Sequence, residues 1–537
     1  MPQSGPLLSD DGLPLNYLVV IDAGSTGLRV YVYSYLDPVV LQKVPKAPKL
    51  AKLPQLHYNK KWHHKLKPGL SSYADQPEDI HSHLAPLVEK AKKWIPDTQH
   101  SRTPILLHAT AGMRLVPSDK QAPVMSAACE YLQQHLGFWL PSCEDHVNIV
   151  DADIEGVYAW LAINHAKGAF DNPDDHQHGD GHTTYGVLDM GGALTQIVFQ
   201  PNSTETDHHR QDLLKLDLVN QDSTPRNYDL YAHLFLGFGM YQALDKYEQL
   251  MDSNPCYPKG KGGLSNFTMC LNLLDAVVQT QCPSTTTNST GCLLSDPKVP
   301  TLDFAVNHFV GVLGYWDAIE GIIDQDSDDE GEYNYENVYN ATRKVCDLLW
   351  KQLKKLDLDI KHDDDLAMAC FKLAWVLAFL HRGLGFPRFG LDTPLKDDQN
   401  FRQLEVVEEL GEFKFSWTLG RALLYASDEY AAAKGEVRAG YVTANGTLVY
   451  GLEQTEHNMR PRFELSRWDS PTHRYTGLLV LVLMFLTLLY VMVGRERRQR
   501  AVQWVKAKFG RKHGYVRVGS TDDLELLQFT VEDSPPA

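Results

Sequence analysis

Residues 17–36 read YLVVIDAGSTGLRVYVYSYL, and residues 184–200 read TYGVLDMGGALTQIVFQ. Each has an apolar strand ending in aspartate, a glycine-rich turn, and a second apolar strand. The two aspartates, Asp22 and Asp189, stand 167 residues apart. Glycine lets a backbone approach an anion closely, and successive N–H groups in such a turn form an anion-binding nest. Ser25 and Thr26 add hydroxyls to the first turn; Thr195 and Gln196 add polar groups after the second. An aspartate at a strand end suits a hydrated divalent cation that bridges phosphates. Either hairpin alone reads equally well as a plain β-turn. Two of them, each flanked by strands, point to a polyphosphate clamped between two lobes.

Between the hairpins, His108–Leu115 reads HATAGMRL, a short strand running into a small-residue helix start. Residues 151–164 read DADIEGVYAWLAIN and predict a helix over 153–166 with Asp153 as its N-cap. A glutamate in a first helical turn is usually a dipole partner. Between two phosphate turns, Glu155 has the alternative of taking a proton from water. Helices are also expected over 77–95, 120–136, 366–384 and 415–434, and short strands at 105–107 and 147–150. Residues 38–69, rich in lysine and proline, read as an exposed connection. The polar stretch 171–182 reads as a solvated loop rather than a metal site, and 324–336 as an acidic loop without EF-hand spacing.

The whole chain sets the frame. Its 537 residues are enough for two or more domains, and 43% hydrophobic with 22% charged residues is ordinary globular usage. With 51 Lys plus Arg against 68 Asp plus Glu, the formal charge is −17, which disfavours a nucleic-acid partner. Gly477–Val493 is an almost wholly apolar run, and the uncharged stretch extends over 475–494, 20 residues, enough for one transmembrane helix. Arg495, Arg497, Arg498 and Arg500 follow, so the positive-inside rule puts the tail 495–537 in the cytosol and the preceding chain on the other side. The basic part of the tail is suited to anionic lipid or a cytosolic protein; residues 518–537 read as disordered. All eight cysteines and the five N-x-[ST] sequons (Asn202, Asn266, Asn288, Asn340 and Asn445) precede the apolar run, as in an oxidising compartment. Cysteines 256, 270, 282, 292 and 346, 370 form the close sets, with pairing left open. The first 16 residues have no basic n-region and no apolar h-region, so no cleavable leader is expected there. Either the C-terminal span directs insertion or the N-terminus is longer.

With these motifs in order, the chain resembles the apyrases, the nucleoside triphosphate diphosphohydrolase family. The segments are DAGSTGLRVYVY, ATAGMR, ADIEGVYAWLAIN, LDMGGALTQIVF and CFKLAWVLAFLHRGLGFP (370–387), supported by KPGLSS (67–72), YDLYAHLFLGFG (228–239), FVGVLGYW (309–316) and FSWTLGRALLY (415–425). The resemblance spans about 17–466. A single C-terminal span is most similar to fungal Golgi members.

The resemblance implies an α/β, actin-like fold of two RNase H-like lobes with the nucleotide in the cleft. It implies lobe I at 15–152 and 408–466 and lobe II at 153–407. It implies hydrolysis of terminal phosphates of nucleoside di- and triphosphates in the Golgi lumen, with Ca²⁺ or Mg²⁺, or alternatively Mn²⁺. It assigns Glu155 as the base, Gln196 as orienting the water, and Thr195 as a catalytic hydroxyl. Ser25, Thr26, Gly27, Arg29, Thr110, Arg114, Gly191, Gly192 and Ala193 become phosphate-binding. Asp22 and Asp189 hold the metal, mainly through its waters. Tyr315, Trp316, Arg382 and Phe386 match base-binding places, although core packing competes for the aromatics.

One position departs: Leu194 stands where the family usually has serine, facing the reaction centre. This motivates a second reading, a weakly active member working as a binding module through its tail. A third, a cytosolic actin- or sugar-kinase-like ATPase, is disfavoured by the span and the sequons.

Overall fold

The computed structural model describes residues 5–41, 51–135, 137–171, 182–251, 253–280, 282, 291–320, 332–356, 360, 362–392, 403–410, 413–433, 438–442, 446 and 448–451, with 478–485, 487–488, 499–500 and 504 from the C-terminal stretch. The chain divides into two compact units, Met1–Phe463 and Glu464–Ala537.

The first unit is built on two large sheets. Strands β1 (Leu15–Gly24), β2 (Gly27–Leu36), β3 (His63–Leu66), β4 (Ile105–Ala109) and β5 (Val147–Ile149) form a sheet of order β3-β2-β1-β4-β5. β1 pairs antiparallel with β2 and parallel with β4. The second sheet contains β6 (Tyr185–Met190), β7 (Leu194–Phe199), β8 (Leu214–Val219), β9 (Pro225–Leu236), β10 (His308–Leu313) and β11 (Leu404–Val406). Within it, β9-β7-β6-β10-β11 repeats the order of the first sheet, again with an antiparallel hairpin and parallel neighbours. A small hairpin follows, β12 (Glu409–Leu410) with β13 (Phe413–Lys414). Two five-stranded units of one topology make the actin-like, two-lobed α/β plan the sequence predicts.

The expected lobe boundary puts 408–466 with the first sheet. Strands β14 (Gly440–Val442) and β15 (Leu448–Tyr450) of that stretch hydrogen-bond in the second sheet instead, because β8 offers its outer edge to β14.

Helices fill three layers. α1 (Ile80–Trp94) and α2 (Ser118–His135) cover the outer face of the first sheet, where Val19, Ile21, Leu28 and Val30 point. α3 (Ala152–Ala166) lies between the sheets. α4 (Met240–Gln249), α5 (Phe267–Gln279), α6 (Tyr335–Cys346) and α7 (Ala369–Leu377) cover the outer face of the second. α8 (Thr418–Ala432) joins α3 in the middle layer. Both middle helices are buried nearly all round, α8 with Arg421, Asp428 and Glu429 held by polar partners. Their crossing needs Gly420, since a Cβ there would lie 1.9 Å from the Tyr158 carbonyl oxygen. The N-cap of α3 is Asp151 rather than Asp153, which sits in the first turn.

The eight cysteines pair as Cys129–Cys143, Cys256–Cys270, Cys282–Cys292 and Cys346–Cys370. Most of 171–182, most of 324–336 and most of the tail lie outside the described residues. In the second unit, 478–485 and 487–488 are helical with exposed apolar side chains. Among the described residues no helix is long and apolar enough to cross a membrane; the expected span 475–494 extends beyond them.

Candidate active site

The first hairpin closes with Gly24 opposite Gly27, leaving Ser25 and Thr26 exposed at the tip. Two other segments pin this turn. A Cβ on Gly69, from KPGLSS, would lie 2.4 Å from the Ser25 carbonyl oxygen, and one on Gly112, from ATAGMR, 2.7 Å from Ser25 Cα. Glycine at both positions is therefore a packing requirement. Thr110 caps the one-turn helix Ala111–Arg114 and donates its N–H to the Ala23 carbonyl at 3.3 Å.

The second turn is held differently. The carbonyls of Gly191 and Ala193 accept from the N–H groups of Met240 and Gly237, both at 2.9 Å, and that of Gly192 accepts from Tyr241 at 2.9 Å and Gln242 at 3.0 Å. The start of α4 thus ties back the carbonyls. The N–H groups of Gly192 and Ala193 have no backbone acceptor among the described residues. Gly239 makes this possible, as a Cβ there would lie 2.3 Å from Leu194 N.

Strand alternation decides what faces the middle layer. Leu18 and Val20 point inward, and so does Asp22, with Arg29 opposite it in register and His108 beside it on β4. Val187 and Val198 point inward from the second sheet, which places Asp189, Gln196 and Leu194 on that same face. Glu155 comes from the first turn of α3, between them. Gly156 admits Gln196: a Cβ at 156 would lie 2.8 Å from Gln196 Oε1. The two hairpins, the middle helix and the arginines of the first two motifs thus supply one polar cluster.

Its electrostatics are unbalanced. Arg29 Nη1 donates to Asp22 Oδ2 at 3.0 Å. Arg114 Nη2 donates to Glu155 Oε2 at 2.8 Å, and its Nη1 to the Val150 carbonyl at 2.7 Å. Asp189 has no ion-pair partner among the described residues. Burial, then repulsion from Glu155 and Asp22, pushes its carboxyl up to about 8. Burial also raises Asp22 against the pull of Arg29, and raises Glu155 against the pull of Arg114. Asp22 Oδ1 and both amide atoms of Gln196 are buried without a hydrogen-bond partner among the described residues. Three carboxylates with two guanidinium groups and orphaned polar atoms fit a hydrated divalent cation held by Asp22 and Asp189.

Some expected site residues stand elsewhere. Thr195 is fully buried on the opposite strand face and donates its hydroxyl to the Phe238 carbonyl at 2.8 Å, so it is committed to the core and not aimed at the cluster. Tyr315 is 0% and Phe386 1% exposed; both pack in the outer core of the second sheet, where no base reaches them. Trp316 and Arg382 are only half-buried. His108, passed over in the sequence, is buried edge-on to Trp417, and burial holds its imidazole neutral, well below the usual range. No local pattern marks it; its place follows from the pairing of β1 with β4.

The family model described as GDA1/CD39 (nucleoside phosphatase) matches residues 14–260 and 257–438. The chain belongs to this family. It is accordingly an enzyme of the nucleoside phosphatases. Golgi apyrase of Saccharomyces cerevisiae is 32% identical over 466 residues, covering 79% of this chain and 72% of that protein. Golgi apyrase of Schizosaccharomyces pombe is 29% identical over 563 residues, covering 97% and 93%. A nucleoside-triphosphatase of Caenorhabditis elegans is 28% identical over 438 residues, covering 77% and 74%.

Proposed function

We propose that this GDA1/CD39 protein is a divalent-metal-dependent apyrase, releasing the terminal phosphate of nucleoside tri- and diphosphates to leave monophosphates. The observation that carries the reading is the pair of Asp–glycine hairpins at equivalent places in two sheets of one topology, with Glu155 between them. The turn at Ser25 and Thr26 and the free N–H groups of Gly192 and Ala193 hold phosphate oxygens from two sides. Arg29 and Arg114 add positive charge. When bound, Ca²⁺ or Mg²⁺, with Mn²⁺ as an alternative, neutralises phosphate charge between Asp22 and Asp189.

Glu155 accepts the proton of the attacking water. Its Oε2 is fixed by Arg114, which leaves Oε1 for that proton. The same guanidinium opposes the effect of burial and favours the ionised base. Gln196, beside Gly156, turns an amide oxygen or N–H toward the water. Phosphoryl transfer asks mainly for positioning and electrostatic stabilisation, which this set supplies without a covalent intermediate.

The lobes in this reading are 15–152 and 153–407, with α8 between them and β14–β15 on the second. The protein sits in the Golgi membrane through the helix 475–494. Its catalytic unit and glycans are lumenal, and 495–537 is cytosolic with a lipid or protein partner. The disulfides and the two fungal relatives support the compartment, where removing nucleoside diphosphates supports glycosylation. Leu194, apolar on the face of Asp189 and Gln196, is the observation that favours the alternative of a weak, regulatory member.

The test is phosphate release by the purified full chain from ADP, GDP, UDP and their triphosphates, with and without divalent cation. Metal-dependent release that disappears in Glu155→Gln supports the reading. A folded, nucleotide-binding chain releasing nothing would sink it. Loss of a glycosidase-sensitive mobility shift on expression would sink the lumenal placement.

A further inference from the structure

Strand register lines up one polar row across the whole first sheet. Lys65 on β3 pairs with Arg29 on β2, Arg29 with Asp22 on β1, Asp22 with His108 on β4, and His108 with Asn148 on β5. Residues in register share a sheet face, so all five stand on the face toward the middle layer. The next row on that face, away from the turn, contains Tyr31, Val20 and Leu106 and no charge on these three strands. In the second sheet the equivalent row reads Leu234, Gln196, Asp189 and Val312. Equivalent places therefore hold His108 beside Asp22 and Val312 beside Asp189.

A histidine is a costly choice for such a place. His108 is 2% exposed, and both its ring nitrogens are buried without a hydrogen-bond partner among the described residues. A buried polar ring left unpaired destabilises a fold, whereas the valine of the second sheet has nothing to satisfy. Its neighbour has a matching deficit. Asp22 Oδ2 accepts from Arg29, but Oδ1 is buried and unpaired among the described residues. On the far side of the imidazole, the Asn148 amide nitrogen donates to the carbonyls of Glu144 and Asp145, both at 3.3 Å, which anchors that side chain to the turn before β5. Trp417 closes the box edge-on, with 6.4 Å between ring centres.

We propose that His108 is a positioning residue for Asp22: through a single buried water, one ring nitrogen holds the Oδ1 that Arg29 leaves open. Water spans the gap between side chains of adjacent strands, and an imidazole offers it a donor at one nitrogen and an acceptor at the other. The carboxylate is then gripped from both neighbouring strands, and its orientation toward the hydrated cation is fixed. The inference rests on the metal-dependent reading, and it gives His108 no contact with cation or substrate. Outer partners of this kind change metal affinity by about 10- to 100-fold. Val312 offers Asp189 no such grip, so the effect belongs to the Asp22 half of the site.

The experiment is a calorimetric Ca²⁺ titration of the full-length protein without nucleotide. His108→Met keeps the bulk and removes the hydrogen bonds; His108→Gln keeps a donor and an acceptor. The methionine variant is expected to bind Ca²⁺ about tenfold more weakly, and the glutamine variant to stay within about threefold of wild type. Metal-free melting temperatures of both report packing alone and separate it from the grip on Asp22. A methionine variant with wild-type Ca²⁺ affinity overturns the inference. So does a glutamine variant as weak as the methionine one, because the ring's shape would then be what matters. Should His108→Met not fold, Asn148→Ala at the half-buried end of the row carries the test. It acts one step further out and is expected to weaken Ca²⁺ binding about threefold; an unchanged affinity overturns the inference. Wild-type protein that binds no Ca²⁺, Mg²⁺ or Mn²⁺ overturns the metal-dependent reading itself, and this inference with it.

Discussion

The two glycine hairpins share a topology and differ in charge. In the first, Asp22 is paired with Arg29, and the turn is wedged by Gly69 and Gly112 from neighbouring loops. In the second, Asp189 faces Glu155 and Asp22 with no ion-pair partner among the described residues, and the turn is tied to the start of α4. The first lobe also lends Arg114 to Glu155. A duplicated scaffold has thus become a polar one: one side brings hydroxyls and guanidinium groups, the other an unbalanced carboxylate and free amides. In the proposed reading, such asymmetry would give a phosphate chain a direction, with one end met by fixed positive charge and the other by the aspartate that holds the cation.

The largest effect falls on the group between the hairpins. Glu155→Gln keeps an oxygen for Arg114 and removes the proton acceptor. Turnover is expected to fall by about 10³-fold with an unchanged melting temperature; activity within tenfold of wild type would mean that another group takes the proton.

Next come the aspartates, where the comparison is sharpest. Neutralising either costs about 10²-fold in rate, as loss of a metal partner acting through water does. Their effects on the metal-free fold are opposite. The folded protein holds the Asp189 proton up to about pH 8, whereas the unfolded chain releases it near 3.8. Between these values the folded state binds more protons, so metal-free stability falls as pH rises through the window. Asp189→Asn therefore raises the metal-free melting temperature at neutral pH by about 2 °C, and added Ca²⁺ no longer shifts it. Asp22→Asn strands Arg29 and lowers it. Calorimetry of both variants from pH 5 to 8 checks this; equal shifts of one sign would break the asymmetry.

The sequence carries the parts of this arrangement that are local. The strands around Asp22 and Asp189 alternate cleanly, glycine marks the turns, and Glu155 follows directly from a helix start. What it hides depends on contacts made across long separations. Arg114 and Glu155 are 41 residues apart, and their pairing exists only because the helix after β4 ends beside the start of α3. The Cys129–Cys143 bridge joins α2 to the segment before β5, outside the close sets. Strand alternation turns Thr195 into the core while adjacent Gln196 reaches the cluster, a one-residue distinction that composition does not carry. Tyr315 and Phe386 suit base stacking as residue types, yet the helices outside the second sheet enclose them. β14 and β15 join the second sheet because its edge is free, and nothing in their own residues names that edge.

The two turns are also tested through the glycines that wedge them. Gly112→Ala sets a Cβ against the backbone of Ser25, and Gly239→Ala against the backbone of Leu194. Neither neighbour is a flexible side-chain end, so each turn moves by a few tenths of an ångström or more. A loss in kcat/KM of about 10 to 10² is expected from such misplacement. The first variant should weaken phosphate binding without touching cation affinity, and the second should disturb both, because Asp189 precedes its turn. Calcium titration followed by intrinsic fluorescence separates them; identical cation affinities would show that the turns are not independent clamps.

The smallest expected change is at Leu194. Its side chain shares a strand face with Gln196 and lies close behind the turn, where a hydroxyl would donate to or accept from the water beside Glu155. Loss of a full transition-state donor is worth about 10²-fold. Here Gln196 already offers two unpaired amide atoms on that face, and Thr195 is bound to the Phe238 carbonyl and takes no part. If the glutamine suffices to fix the water, Leu194→Ser gains less than tenfold in turnover, with KM unchanged. A gain of 10² or more would mean that the leucine disables the second lobe, and that the charge asymmetry described above is retained for binding a nucleotide rather than for cleaving it.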